Sequence, residues 1–256
     1  MRREKTLVSE RRERLYEEIK RLGRASVSTL AGAYHLPVLT VRRELGVLEA
    51  EGRVKRFYGG AALPTPEGDD PIQRARERIA RYAASLVQDG ENIFLNSSMT
   101  ALGILKYLGD KRVTVITNNG RVISADLPPH VSVVLTGGEL RYPKHVMVGE
   151  FCARNLQGVT VNRSFLGCSG LSPAKGMTSS YLNEAPLNHL MFTQAHDGAY
   201  LLADHTKLGV ESNFVSVFPE ELRTLITDEG ADEALVSRFR AMGIDVVTVP
   251  VRDEDA

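Results

Sequence analysis

Apolar positions fall into two regimes along the 256 residues. Up to about residue 60 they recur at helical intervals in a charged background. Leu7, Leu15, Ile19 and Leu22 mark an amphipathic first helix that should stop at Gly23. Ser26 or Ser28 can cap a second helix with Val27, Leu30, Ala31 and Tyr34 on its apolar face, and His35, Leu36 and Pro37 make the following turn. Pro37 suits the first turn of a third helix, because its missing N–H would be unpaired there in any case. That helix should run from Val38 to about Glu51 with Val41, Leu45 and Leu48 inward, leaving Thr40, Arg42, Arg43 and Glu44 toward its outer, N-terminal side. A short strand with Arg53, Lys55 and Arg56 should then turn back at Gly59-Gly60.

Beyond this point the period changes. Residues 63–71, LPTPEGDDP, hold three prolines, a glycine and acidic side chains, which predicts an exposed linker between a unit at 1–62 and another at 72–256. Residues 72–88 read as an amphipathic helix with Ile79, Ala83, Leu86 and Val87 on one side, a face that suits either another subunit or the chain's own sheet. Short apolar runs then alternate with helical stretches. Strands are expected at Asn92–Leu95, Val113–Thr117, Val131–Leu135, Arg163–Leu166, Ala199–Ala203, Leu225–Thr227 and Val246–Val249, with helices at Met99–Leu108 and Gly120–Asp126. That alternation predicts an α/β unit built on a mostly parallel sheet covered on both faces.

A hydrophobic content of 43% and a charged content of 25% exclude a disordered chain. The zero net charge conceals a split: residues 1–62 carry 14 Lys and Arg against 8 Asp and Glu, leaving 18 against 24 in the remainder. A basic front on an acidic body fits a polyanion contact confined to the front. MRREKTLVSERRER lacks the apolar stretch of a secretory signal, and no run of 18 apolar residues follows, so a cytoplasmic protein without membrane association is expected. Cys152 and Cys168 lack metal-type spacing and read as plain buried thiols. His189 and His196 should share one helix face, but no His-x-x-x-His or Cys cluster offers a metal site, and no glycine frame surrounds a serine nucleophile, so neither a metal nor another cofactor is expected.

The front pattern carries its own chemistry. In a helix-turn-helix the second helix presents its N-terminal residues to base edges, and the arginine fork matches guanine O6 and N7. Arg42 and Arg43 would fill that role, with Arg53, Lys55 and Arg56 on a wing against phosphates. The competing reading is a solvated face in which Arg42 and Arg43 pair with Glu49 or Glu18. In the second unit, ligands of a parallel sheet bind beyond the carboxyl ends of the strands. The loops Asn96-Ser97-Ser98-Met99-Thr100, Thr117-Asn118-Asn119-Gly120 and Thr136-Gly137-Gly138-Glu139 should meet there in one pocket suited to an anionic, hydroxyl-rich ligand.

Residues 11–62 resemble the DeoR-type winged helix-turn-helix of bacterial transcriptional regulators, in TVRREL, LEAEGRVKR and GGAALP. The resemblance continues through LNSSMT, ITNN, LTGGELR, VGE, FLGCSGLSPAKGMTS and LLADHTKLG, which follow the order of the DeoR-type C-terminal domain. That domain resembles the Rossmann-like fold of ribose-phosphate isomerases and coenzyme A transferases. By position, the resemblance implies operator contacts from Ser26, Ser28, Pro37, Thr40, Arg42, Arg43, Arg53, Lys55 and Arg56. It also implies a phosphate seat at Ser97, Ser98 and Thr100, and sugar contacts from Asn96, Asn118, Gly137, Gly138 and Arg141. Asp204 and Lys207 would supply charged groups, with a structural ion pair at the strand exit as the alternative, and Arg163 stands where the family often has Lys.

Asn96 and Asn188 stand where the family often has Asp and Lys, and Pro37 and Tyr181 where Ser and Asp are common. Loss of a carboxylate and a lysine together argues against an active isomerase. The resemblance therefore implies a repressor that binds double-stranded operator DNA as a dimer or tetramer and responds to a phosphorylated sugar or polyol. Two alternatives stay open: a sugar-phosphate isomerase-like enzyme with a nucleic-acid module, and a regulator whose sensing domain no longer binds sugar phosphate.

Overall fold

The computed structural model describes residues 2–57, 59–63 and 70–251. The side chain of Leu7 and residues 64–69 of the expected linker lie outside this description. Two compact units result, residues 1–70 and 71–256.

In the first unit, α1 (Arg2–Leu22), α2 (Val27–Tyr34) and α3 (Val38–Ala50) pack against an antiparallel sheet of β1 (Arg24–Ser26), β2 (Lys55–Phe57) and β3 (Gly60–Ala62), in the order β1-β3-β2. Leu15, Ile19, Leu30, Val41, Leu45, Leu48 and Val54 form its core. Ser26 caps α2 by accepting the Thr29 N–H at 2.9 Å, and His35 ends that helix in the left-handed region at φ 50°. β1 is an addition to the predicted elements, since three residues carry too little alternation to be seen alone. Leu22 ends α1 exposed rather than sharing its buried stripe.

Glu44 does not face outward. It is buried to 1% exposure, because Arg11 and Arg12 of α1 both reach it. A carboxylate otherwise disfavoured in a core is stabilised there by two guanidinium partners, so periodicity gives its face wrongly.

The second unit begins with α4 (Pro71–Leu86), whose buried Ala75, Ile79, Ala80, Ala83 and Ala84 pack on the unit's own sheet. Seven strands pair in parallel: β4 (Asn92–Leu95), β5 (Val113–Thr117), β6 (Val131–Leu135), β9 (Val161–Gly167), β12 (Ala195–Leu202), β14 (Thr224–Asp228) and β15 (Asp245–Val249). Their order is β15-β14-β12-β9-β4-β5-β6. Alternation on β4 divides the core between the two faces: Ile93 and Leu95 join α4, whereas Phe94 joins Leu166, Met191 and Phe239.

The chain first lays β4, β5 and β6 outward, then returns to place β9 on the other side of β4. Between them, β7 (Glu139–Arg141) and β8 (Val146–Val148) form a hairpin, followed by α6 (Glu150–Leu156). β10 (Gly170–Ser172), β11 (Gly176–Ser179) and β13 (Phe214–Val217) make a small antiparallel sheet. The remaining helices are α5 (Met99–Leu102), α7 (Ala185–Thr193) and α8 (Glu233–Ala241). The helix expected at Met99–Leu108 tightens after α5 into a 3-10 segment, Gly103–Tyr107, and that at Gly120–Asp126 is a 3-10 turn, Gly120–Ser124. His196 lies on β12, not on a helix with His189, because α7 has already ended at Thr193.

Candidate nucleic-acid interface and sensor cavity

On α3 the inward Val41, Leu45 and Leu48 are fully buried, so Arg42 and Arg43 are driven to the surface. Arg43 is 73% exposed, with its nearest carboxylate, Glu44, at 3.9 Å. Arg42 has no ion pair among the described residues. The carboxylates of the competing reading are engaged elsewhere: Glu18 by Arg21 at 2.7 Å, and Glu49 by Arg56, whose backbone N–H donates to it at 3.1 Å. Thr40 is half-buried, whereas Ser28, Pro37, Lys55 and Arg56 are exposed. Ser26 is occupied as the α2 cap and also bonds Ser28 at 2.8 Å.

Arg53 lies before β2 rather than on it. Its guanidinium forks onto Glu13 at 2.7 and 2.9 Å and sits 3.9 Å from the Tyr16 ring centroid, tying the wing to α1. Burial would raise the pKa of Glu44, but hydrogen bonds from Arg11 and Arg12 outweigh it and hold the carboxyl below its ordinary 4.5.

In the second unit, strand order reverses between β4 and β9, and a crevice at such a switch point is where open α/β sheets bind ligands. Asn96 bridges the two strand exits. Its Nδ2 donates to the Gly167 carbonyl at 2.8 Å and to Asn188 Oδ1 at 3.0 Å, while its Oδ1 accepts the N–H groups of Gly167 and Ser98 at 3.0 and 3.2 Å. All four hydrogen-bonding positions of the amide are filled. Ser98 caps α5, and a Cβ on Gly167 would lie 2.1 Å from its Oγ, so only glycine permits this approach.

Ser97 Oγ donates to Glu184 at 3.2 Å, and the other oxygen of Glu184 accepts Lys144 Nζ at 3.0 Å. Lys144 also sits 4.0 Å from the Tyr181 ring centroid. Lys144, Tyr181 and Glu184 line a cavity of about 410 Å³ together with Arg141 and Tyr142, whereas the loops 96–100, 117–120 and 136–139 expected to form the pocket do not line it. The hairpin on one side of it is held from the segment after β5: Asn118 Nδ2 donates to the Met147 carbonyl at 3.2 Å, and Arg121 donates to the carbonyls of Pro143 and Lys144. Asn118 Oδ1 is buried without a partner.

The other predicted site residues disperse. Gly138, at φ 103°, admits β8 and α6, since a Cβ would meet the Val148 carbonyl at 2.6 Å and Cys152 Cβ at 3.0 Å. Thr100 lines a separate cavity of about 660 Å³ against α4. Asp204, buried at the exit of β12, accepts Arg76 Nε of α4 at 2.8 Å and the Thr206 hydroxyl. Burial opposes its ionisation, but Thr206 and Arg76 prevail and hold its pKa below 3.8. Its ion-pair partner is therefore Arg76 rather than Lys207. Burial pushes the nearby Cys168 thiol up to about 12 despite the Lys207 ammonium, which makes it unreactive.

Arg163 does not belong to the site. It lies near the amino end of β9, four residues or about 13 Å before Gly167, and is closed into an ion pair with buried Glu91. Among the described residues, no group of three His, Cys, Asp or Glu side chains could hold a metal ion.

A basic winged head and a parallel-sheet unit match known proteins in the same order. A family model described as the DeoR-like helix-turn-helix domain matches residues 11–67, and one described as the DeoR C terminal sensor domain matches residues 72–229. The chain belongs to the DeoR family. Among its relatives are the HTH-type transcriptional regulator GolR of Listeria innocua, 31% identical over 93% of this chain and 97% of that one, and a putative aga operon transcriptional repressor of Escherichia coli O157:H7, 27% identical over 95% of each. Ribose 5-phosphate isomerase A of Methanocaldococcus jannaschii is a solved structure with similarity at 17% identity over 53% of this chain and 54% of that one, with a TM-score of 0.38. As a DeoR-family member the chain is a DNA-binding transcriptional regulator with a sensor domain.

Sequence reasoning missed Lys144, Glu184 and Arg76 in this DeoR-type sensor. Arg76 sits on the charged face of α4, where an arginine is unremarkable until β12 brings Asp204 to it. Lys144 and Glu184 are 40 residues apart, and only the β7–β8 hairpin and the turn before α7 join them. A lysine beside a proline in RYPKHV was the available signal for a structured loop.

Proposed function

We propose that the chain is a repressor whose sensor cavity takes a phosphorylated sugar or polyol, and that it binds double-stranded operator DNA as a homo-oligomer. The observation that carries this reading is the cavity between the β7–β8 hairpin and the turn before α7, lined by Arg141 and Lys144 and tied to the exit of β4 through the Ser97–Glu184 hydrogen bond. Lys144, paired with Glu184, and Arg141, paired with the exposed Glu139, offer two cations to an anion, and the two tyrosines suit a hydroxylated body.

Regulation without turnover is supported by the pair of asparagines at the exit of β4 and on α7. Asn96 and Asn188 are neutral and hydrogen-bonded to each other, so neither supplies the acid or base that an aldose–ketose proton transfer needs. GolR and the putative aga operon repressor are likewise described as transcriptional regulators.

The experiment is operator binding by the full chain at fixed salt, with and without a panel of phosphorylated sugars and polyols. One compound should release the DNA while its dephosphorylated counterpart does not. Specific DNA binding untouched by every compound would sink the effector reading, and turnover of a sugar phosphate would sink the non-enzymatic one.

A further inference from the structure

We propose that Lys144 is the anion-binding residue of the sensor cavity, that Glu184 is its counter-ion in the unliganded protein, and that a phosphate ester binds by replacing Glu184 at the ammonium group. This inference rests on the sensor reading above and adds the residue, the exchange and the order of contacts.

The geometry treats the two partners differently. The Lys144 side chain is 35% exposed and that of Glu184 only 7%. The ammonium therefore keeps an open side toward the cavity, while the carboxylate is held at the wall. Lys144 is also held over the Tyr181 ring, a contact that survives exchange of one anion for another. An ammonium has three donors, and the Glu184 oxygen at 3.0 Å uses one.

Glu184 has a contact besides Lys144: it accepts the Ser97 hydroxyl, and it stands at the N-cap position of the nine-residue α7 without a side-chain hydrogen bond to that helix. A dianionic phosphate competes well for the ammonium because it brings more charge and more acceptor oxygens than a carboxylate. Once released, the Glu184 carboxylate faces the same cavity as an acceptor for hydroxyl groups of the ester. Arg141, which donates to the exposed Glu139 at 2.9 Å, lines the same cavity as a second cation. The chemical class selected is a phosphate ester carrying free hydroxyls, with the phosphate at Lys144 and the hydroxyls toward Glu184.

The test is calorimetric titration of the full chain, its Lys144→Met, Lys144→Arg and Glu184→Gln variants, with inorganic phosphate, glycerol 3-phosphate, glucose 6-phosphate and their dephosphorylated counterparts. Thermal melts of the unliganded variants establish that each is folded. Lys144→Met should lose about 10- to 100-fold in affinity for any phosphate ester that binds the wild type, and Lys144→Arg should recover part of it. Glu184→Gln should bind inorganic phosphate more tightly than the wild type, because the internal competitor is gone, yet discriminate less between phosphorylated compounds with and without hydroxyls. A phosphate ester held equally well by wild type and Lys144→Met, or weaker phosphate binding by Glu184→Gln, overturns this assignment and leaves the sensor reading standing. Failure of every phosphorylated compound to bind wild type and Glu184→Gln alike overturns both.

Discussion

Asn96 bonds through both halves of its amide, which makes it a sensitive probe of the switch point. Asn96→Asp would place a carboxylate oxygen against the Gly167 carbonyl and Asn188 Oδ1, two acceptors that now receive its N–H groups. Two buried acceptors would lose their donors at a cost of about 1–3 kcal/mol each before any charge repulsion is counted. The variant should therefore unfold at a clearly lower temperature at neutral pH, and a wild-type melting curve would show that the bridge contributes nothing. The position of Asn96 in a loop after a strand is legible from sequence, but its role is not. Its principal partner, Gly167, is 71 residues away, and the contact exists only because β9 returns to the side of β4. Arg163 illustrates the converse: its place in a strand was read, but which end of that strand it occupies relative to the crevice depends on parallel register.

At the scale of elements, α3 was legible almost to the residue because its buried stripe has a helical period and its start carries a proline. Its exposed arginines are the groups that can read bases. Arg42→Ala or Arg43→Ala should cost about 1–3 kcal/mol of operator binding and relax base preference where the replaced arginine contacts a guanine. Arg56→Ala on the wing should instead weaken all sequences alike and flatten the salt dependence, as measured by binding titrations at several ionic strengths. Equal binding by all three variants would remove α3 and the wing from the interface. Glu44 is the position where period misleads, since two arginines from another helix neutralise it. Because its folded-state pKa is lowered, its contribution is present at pH values above 4.5 and is lost as pH falls through the lower folded value. Glu44→Gln should destabilise the head by about 1–2 kcal/mol at pH 7, a figure tempered because Arg11 and Arg12 remain 29% and 23% exposed. The difference from wild type should shrink on acidification below pH 4.5, and a pH-independent difference would assign the loss to packing instead.

For the whole molecule, the question is how a cavity in one unit affects DNA held by the other. A regulator of this kind needs effector and operator to favour different states of the same protein, and the coupling free energy between two ligands is reciprocal. One winged head offers a single recognition helix, so an oligomer would read half-sites about 10 base pairs apart or at multiples of that spacing. If a phosphate ester weakens operator binding about 100-fold, the operator must weaken binding of that ester by the same factor, equivalent to about 2.7 kcal/mol. Titrating the ester into the full chain, alone and saturated with operator at the same salt, measures this directly. Matching factors would place the effect in a shared conformational or assembly equilibrium. An ester that lowers DNA affinity while its own affinity is unchanged by operator cannot act by coupling within one complex. Release would then have to come from the ester's own charge competing for the basic head, which added inorganic phosphate at equal ionic strength would reproduce.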